Sequence, residues 1–242
     1  MLTLFRNLFA PPRHLILLVA AAWLGATLTG RRAARHNLDG ETLSSLVFNS
    51  LIAFILGGRL VYAAANLSAF AKSPLSLFYL NTDSFDLLGG LVSALIVALV
   101  YGQRHKLPLW NTLDALTPFF ATLWVGISLS QLAAGTAYGK PTDLPWAINL
   151  WNAKRHPTQI YELIASLLTF GLVWFHKPNL RPGLSFLTFT ALTSAASLFL
   201  EAFRGDSTLV FDGFRLAQMI AWVILAASFA LYEWRLQAPL QQ

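Results

Sequence analysis

Residues 43–66 read LSSLVFNSLIAFILGGRLVYAAAN, and the stretch holds one formally charged side chain, Arg59. A helix needs about 20 mostly apolar residues to cross a bilayer, and this run exceeds that. Comparable runs lie on either side, at His14–Gly30, Leu87–Gly102, Leu113–Tyr138, Gln159–His176, Leu184–Phe203 and Leu216–Trp234. The pattern predicts an all-α, polytopic integral membrane protein with about seven transmembrane helices. The fourth run is long enough to tilt or break.

Composition agrees. The 242 residues are 56% hydrophobic and 12% charged, against about 25% charged in an ordinary soluble domain. Mean hydropathy is +0.56. The charges cluster between the apolar runs, as in multi-pass proteins. The formal charge of +6 suits basic loops against anionic headgroups; no polar basic domain is present to bind nucleic acid. With no cysteine, a disulfide framework, a thiolate metal site and a cysteine nucleophile are excluded. No metal-ligand set and no cofactor motif is visible. The run Leu15–Leu28 follows Arg6 and Arg13 in the manner of a signal peptide, yet the many later spans make it an uncleaved first helix. Residues 1–242 are expected to form one transmembrane domain.

Local signals mark several ends. Asn111 and Asp114 have capping-box-like spacing before the fourth run. Pro157 falls at the expected first turn of the fifth helix, and Lys177-Pro178 and Pro182-Gly183 bracket the loop after it. Trp23, Trp110, Trp146, Trp151, Trp174 and Trp234 lie near run ends, as an aromatic belt requires. Seven spans put the termini on opposite sides, with equal basic counts on each. The short, densely basic loops around Arg31, Arg35, Arg104 and Lys106 favour the cytoplasmic side, which places the N-terminus outside.

Ionisable groups within spans are costly and are functional candidates by default. In Gly57-Gly58-Arg59-Leu60-Val61-Tyr62, Tyr62 shares a helix face with Arg59, and a guanidinium beside a phenol suits a phosphate. The glycines admit another backbone or a headgroup. The bland alternative is an arginine bonded to helix-end carbonyls. Arg155-His156-Pro157-Thr158-Gln159-Ile160-Tyr161-Glu162 is the densest polar cluster at the start of a span. Here Arg155 and His156 suit a phosphoester, or His156 a proton transfer; a helix cap with a paired Glu162 fits the spacing equally well. Glu201 and Arg204 are spaced to pair at i, i+3, and Arg204 is alternatively free to turn to a lipid phosphate. Asp143 sits in a turn-rich external loop.

These motifs resemble those of the bacterial prolipoprotein diacylglyceryl transferases. His156 to Glu162 is similar to the family's His-Pro-Ser/Thr-Gln-Leu/Ile-Tyr-Glu stretch. Gly57 to Tyr62 resembles its Gly-Gly-Arg-hydrophobic-Gly-Tyr segment, with Val61 in place of glycine. Pro74-Leu75, Leu77-Phe78, Gly89-Gly90-Leu91, Asp114, Pro118, Tyr138-Gly139, Pro141-Thr142-Asp143, Pro145-Trp146-Ala147, Glu201, Phe203, Arg204, Asp206 and Gln218 follow in the family's order, from about residue 11 to residue 235. The resemblance implies an enzyme of the bacterial cytoplasmic (inner) membrane. It would move the diacylglyceryl group of phosphatidylglycerol to the lipobox cysteine thiol at the signal peptide of a prolipoprotein. It also implies catalytic roles for His156, Arg204 and Arg59, and substrate-binding roles for Tyr62, Gln159, Tyr161, Glu162, Glu201 and Gln131.

The chain departs from the family pattern at Leu88, where histidine is usual. It departs again across residues 127–136, where Ser128 replaces an arginine, Gln131 and Ala134 replace asparagines, and Thr136 replaces an acid. Serine cannot replace a guanidinium at a phosphate. An enzyme with a rearranged site, a member with a changed substrate, and an inactive homologue that binds lipid or a membrane partner all remain open at this point.

Overall fold

The computed structural model describes residues 2–72, 84–175, 181–211 and 213–237. Pro74, Leu75, Leu77, Phe78, His176, Lys177 and Pro178, singled out above, lie outside the described residues. The helices run α1 (Leu2–Leu8), α2 (Leu15–Arg32), α3 (Gly40–Ala65), α4 (Leu67–Lys72), α5 (Leu87–Arg104), α6 (Leu109–Ala134), α7 (Thr158–Phe175), α8 (Leu184–Leu200) and α9 (Leu216–Gln237). All except α1 and α4 are long and apolar enough to cross a membrane, seven in total among the described residues. The chain is therefore a polytopic, all-α membrane protein. Away from the helix ends, backbone polar groups are satisfied within each helix, as a bilayer demands.

The helices pack side by side in the order α5, α3, α2, α6; α7 and α8 then lie on α6, and α9 on α8. Helix α6 is the centre: 61% of its span is buried, against 6% for α5 at the edge. Small residues set the close approaches, as is usual where lipid supplies no hydrophobic drive between helices. A side chain at Gly126 would reach within 2.2 Å of Ala21 Cβ on α2. Between α3 and α5, one at Gly57 would strike Ser93 and one at Gly89 would strike Val61.

Two expectations change. The fourth run does not break: α6 continues through Pro118 and stops at Ala134, short of the expected Tyr138. Gly135, left-handed at φ 72°, ends it, with its N–H donated to Gln131 O at 2.8 Å. Nor does Asp114 start its own helix, which begins at Leu109 with Pro108 as N-cap. Its buried carboxylate accepts from Gly183 N (2.6 Å) and Phe186 N (2.8 Å), so it satisfies free amides at the start of α8. Asn111 likewise turns away from α6 and donates to His36 O at 3.2 Å.

One end of the bundle carries the C-termini of α2 and α7. There Arg32 donates to the carbonyls of Val173 and Trp174 and lies 4.0 Å over the Trp174 ring. A cation at the last carbonyls of a helix opposes its dipole favourably. Chain direction places the C-termini of α3, α6 and α8 and the N-termini of α5, α7 and α9 at the opposite end. That end also carries two short hairpins, β1 (Ile148–Leu150) with β2 (Ala153–Arg155), and β3 (Leu209–Val210) with β4 (Phe214–Arg215).

Candidate functional site

At the hairpin-bearing end, three segments meet around residues 138–142. Gly139 pairs antiparallel with Arg204 on one side, and Pro141 pairs with Arg155 on the other. Lys140 N donates to Phe203 O (2.8 Å), Gly205 N to Tyr138 O (2.8 Å) and His156 N to Lys140 O (3.0 Å). The fit leaves no room at Gly139, where a Cβ would lie 2.3 Å from His156 O. This backbone lattice fixes where Arg155, His156 and Arg204 stand.

Arg204 gathers three carboxylates. Its Nε donates to Asp206 Oδ1 at 3.0 Å, while Nη1 lies 3.6 Å from Glu201 and 3.9 Å from Glu162. Burial works against the guanidinium's charge, but the Asp206 bond and the charges of Asp206, Glu201 and Glu162 outweigh it, so the pKa is raised above its ordinary value. The Nη groups donate no hydrogen bond among the described residues, and the side chain is 22% exposed. Arg215 holds the turn from beneath, donating from Nη1 to the carbonyls of Glu201 and Arg204 and to Ser207 Oγ. The sequence offered no sign of that role.

His156 stands beside this cluster, its ring 5.3 Å from Phe203 and 6.4 Å from Tyr161. Its Nδ1 is buried with no acceptor or donor among the described residues. Tyr161 Oη accepts from Trp146 Nε1 at 2.7 Å, which ties the α6–α7 loop to α7. Arg155 supplies a second guanidinium on the far side of Gly139: Nη1 donates to Gly139 O (3.3 Å), Nε to Leu150 O (3.1 Å), and the group lies 4.8 Å over Tyr138.

The next two residues of the His-Pro-Thr-Gln motif face inward. Thr158 and Gln159 are fully buried and donate to Ala137 O (2.6 Å) and Thr136 O (2.8 Å). They bind α7 to the chain leaving α6. Gln131 is one turn before that exit, and its Oε1, like that of Gln159, is buried without a donor among the described residues. Ser128 is fully buried and donates to Trp124 O at 3.1 Å. Leu88 is 73% exposed on α5. Neither is the site of a hidden charge.

The structure thus brings together His156, Tyr161, Glu162, Glu201 and Arg204, with Gln159 and Gln131 beneath them. Arg59 and Tyr62 stand on α3, which packs on α5 and α2. Arg59 Nη1 donates to Ser84 O at 2.8 Å, and Tyr62 meets Phe70 edge-on at 6.2 Å. Both are in the last two turns of α3, hence at the same end of the bundle as Arg204.

The family model for prolipoprotein diacylglyceryl transferase matches residues 13–234. A Nostoc sp. protein named phosphatidylglycerol–prolipoprotein diacylglyceryl transferase is 26% identical over 239 residues, covering 90% of this chain and 83% of its own length. A Shouchella clausii protein of the same name is 26% identical over 92% of this chain and 85% of its own. One from Methylococcus capsulatus reaches 32% identity over 66% of this chain and 63% of its own. The match spans the first transmembrane helix to the last and includes the polar end just described, and the chain belongs to the prolipoprotein diacylglyceryl transferase family.

Proposed function

We propose that this chain is a phosphatidylglycerol–prolipoprotein diacylglyceryl transferase of the bacterial cytoplasmic membrane, acting as one transmembrane unit over residues 1–242. Sulfur of the lipobox cysteine attacks the glyceryl carbon of phosphatidylglycerol that carries the phosphate. A C–S bond forms, the C–O bond to phosphate breaks, and glycerol phosphate leaves with the electron pair. The thiol proton passes to a base, since the thiolate is the nucleophile.

The observation that carries this reading is the placement of Arg204. A guanidinium anchored by Nε to Asp206 and flanked at Nη1 by Glu201 and Glu162 is pre-positioned for the charge that grows on a departing phosphate. His156 and Glu162 flank it and are the two candidates for the base. Arg155, across Gly139, supports the cation count where Ser128 cannot contribute. Arg59, with Tyr62 one turn on, stands at the same end of the bundle on α3, which packs on α5 and α2, and is the second cation proposed for the lipid phosphate. Tyr161, Gln159 and Gln131 hold the α7 start and the α6 exit in register with the site. The hairpin-bearing end faces outward, where prolipoprotein signal peptides emerge.

Depletion of a bacterium's own transferase, with this chain supplied in trans, tests the reading. A diacylglyceryl-sized mass gain on the lipobox cysteine is expected. No gain from folded, membrane-inserted protein would overturn it.

A further inference from the structure

A cavity of about 500 Å³ opens between α1 and the β1–β2 hairpin, lined by Arg6, Asn149, Leu150, Trp151, Asn152, Ala153 and Lys154. It is not the Arg204 site. Residues 138–142 stand between Arg204 and β2, and β1 lies beyond β2. At strand spacings of about 4.8 Å, the hairpin is on the order of 10 Å away.

The local structure looks built rather than incidental. Trp151 and Asn152 are both left-handed, at φ 53° and 59°, which makes the two-residue turn that a twisted hairpin prefers. Trp151 Nε1 donates to Gly135 O at 2.9 Å, so the hairpin tip is moored to the end of α6. Arg6 reaches the same place: a Cβ on Gly135 would lie 2.9 Å from its Nη2 and 3.6 Å from the Trp151 ring. Helix α1 itself packs on α6.

The chemistry is one-sided. Two cations and two side-chain amides face a common space. Among the described residues neither Arg6 nor Lys154 has a carboxylate partner, and Arg6 Nε is buried with no acceptor. A buried donor without an acceptor costs about 1–3 kcal/mol. Trp151 on the cavity wall and Leu4 and Leu8 on α1 are exposed, as residues at the headgroup level of a membrane are.

We propose that this cavity is a second phosphate-binding site, independent of Arg204, which takes a phosphate ester at the membrane surface. Arg6 and Lys154 hold the charge, and Asn149 and Asn152 complete the hydrogen bonds. The ester is either the headgroup of an anionic lipid or a soluble glycerol phosphate, and both present the same oxygens.

The full chain in maltoside micelles, labelled with 5-fluorotryptophan, gives a direct readout through the Trp151 resonance, assigned by Trp151→Phe. Titration with short-chain phosphatidylglycerol or with glycerol phosphate is expected to shift that resonance to saturation. Saturation by glycerol phosphate identifies a soluble ester as sufficient; saturation by the lipid alone identifies a headgroup. Arg204→Ala should leave the titration unchanged, which separates this site from the proposed reaction. Lys154→Gln, at an exposed position, should weaken it about tenfold, and Arg6→Gln with Lys154→Gln further still. No shift with either ligand, or an unchanged midpoint in Lys154→Gln, overturns the proposal.

Discussion

Arg59 on α3 is presented by helix packed against helix, whereas Arg204 is presented by backbone hydrogen bonds between loops. On the α3–α5 side, Gly57 and Gly58 face Ser93 and Phe85, and Gly89 and Gly90 face Val61 and Phe54. The glycines next to Arg59 therefore answer to a neighbouring helix. On the α6–α7–α8 side, Gly139 answers to the carbonyl of His156, and the threonine and glutamine of the family motif answer to carbonyls at the α6 exit. Packing tolerates small shifts at modest cost. A lattice of hydrogen bonds around buried charge does not, because each broken bond strands a polar group.

The largest effect should come from the charge itself. Arg204→Ala is expected to lower turnover about 100- to 1,000-fold, the usual cost of removing one group that stabilises developing charge, with membrane levels little changed. Arg59→Ala should also lower turnover more than level; full activity in either variant, measured by lipoprotein mass shift, removes that arginine from the mechanism.

Gly139→Ala strikes the lattice without touching a charge. The added methyl meets backbone, so a stability loss of about 1–3 kcal/mol should accompany a turnover loss of at least tenfold in the folded fraction. Thermal unfolding in detergent and single-variant kinetics read the two separately. A stability loss alone, with normal turnover per folded molecule, would mean that the lattice only supports the fold.

Gly57→Ala is the matching test on the other side. Its Cβ would sit 2.0 Å from Ser93 Oγ, and the α3–α5 seam should lose about 1–3 kcal/mol. Turnover per folded molecule should fall less than in Gly139→Ala; a larger fall would make the α3–α5 seam the more exacting support of the site. The smallest effect is expected from Tyr161→Phe, which removes the acceptor for Trp146 Nε1. About 1 kcal/mol corresponds to a few-fold rise in KM for the prolipoprotein if the α6–α7 loop guides it, and to no change in KM if the loop is a bystander.

Much of this was legible in the residues. Seven spans follow from run length, and the i, i+3 pairing of Glu201 with Arg204 follows from helix spacing, because both are properties of a local segment. Asp114 was misread for the converse reason. Its spacing to Asn111 suits a cap on its own helix, yet its carboxylate bonds to Gly183 and Phe186, far along the chain. Arg215 gave no signal, since its role consists of bonds to Glu201, Arg204 and Ser207 formed only in the tertiary fold.

The amino-acid sequence alone determined the class, the number of spans and the family resemblance. In a bilayer each span must satisfy its own backbone hydrogen bonds, so apolar length is enough to define it, and a motif of seven consecutive residues needs no partner to be recognised. Only the tertiary structure decided that Glu162 of α7 joins Glu201 and Asp206 at Arg204, that α8 is capped from α6, and that Arg6 meets Lys154 across a cavity. Those are distances between segments remote in the chain, and a one-dimensional pattern of charge and hydropathy carries no information about them.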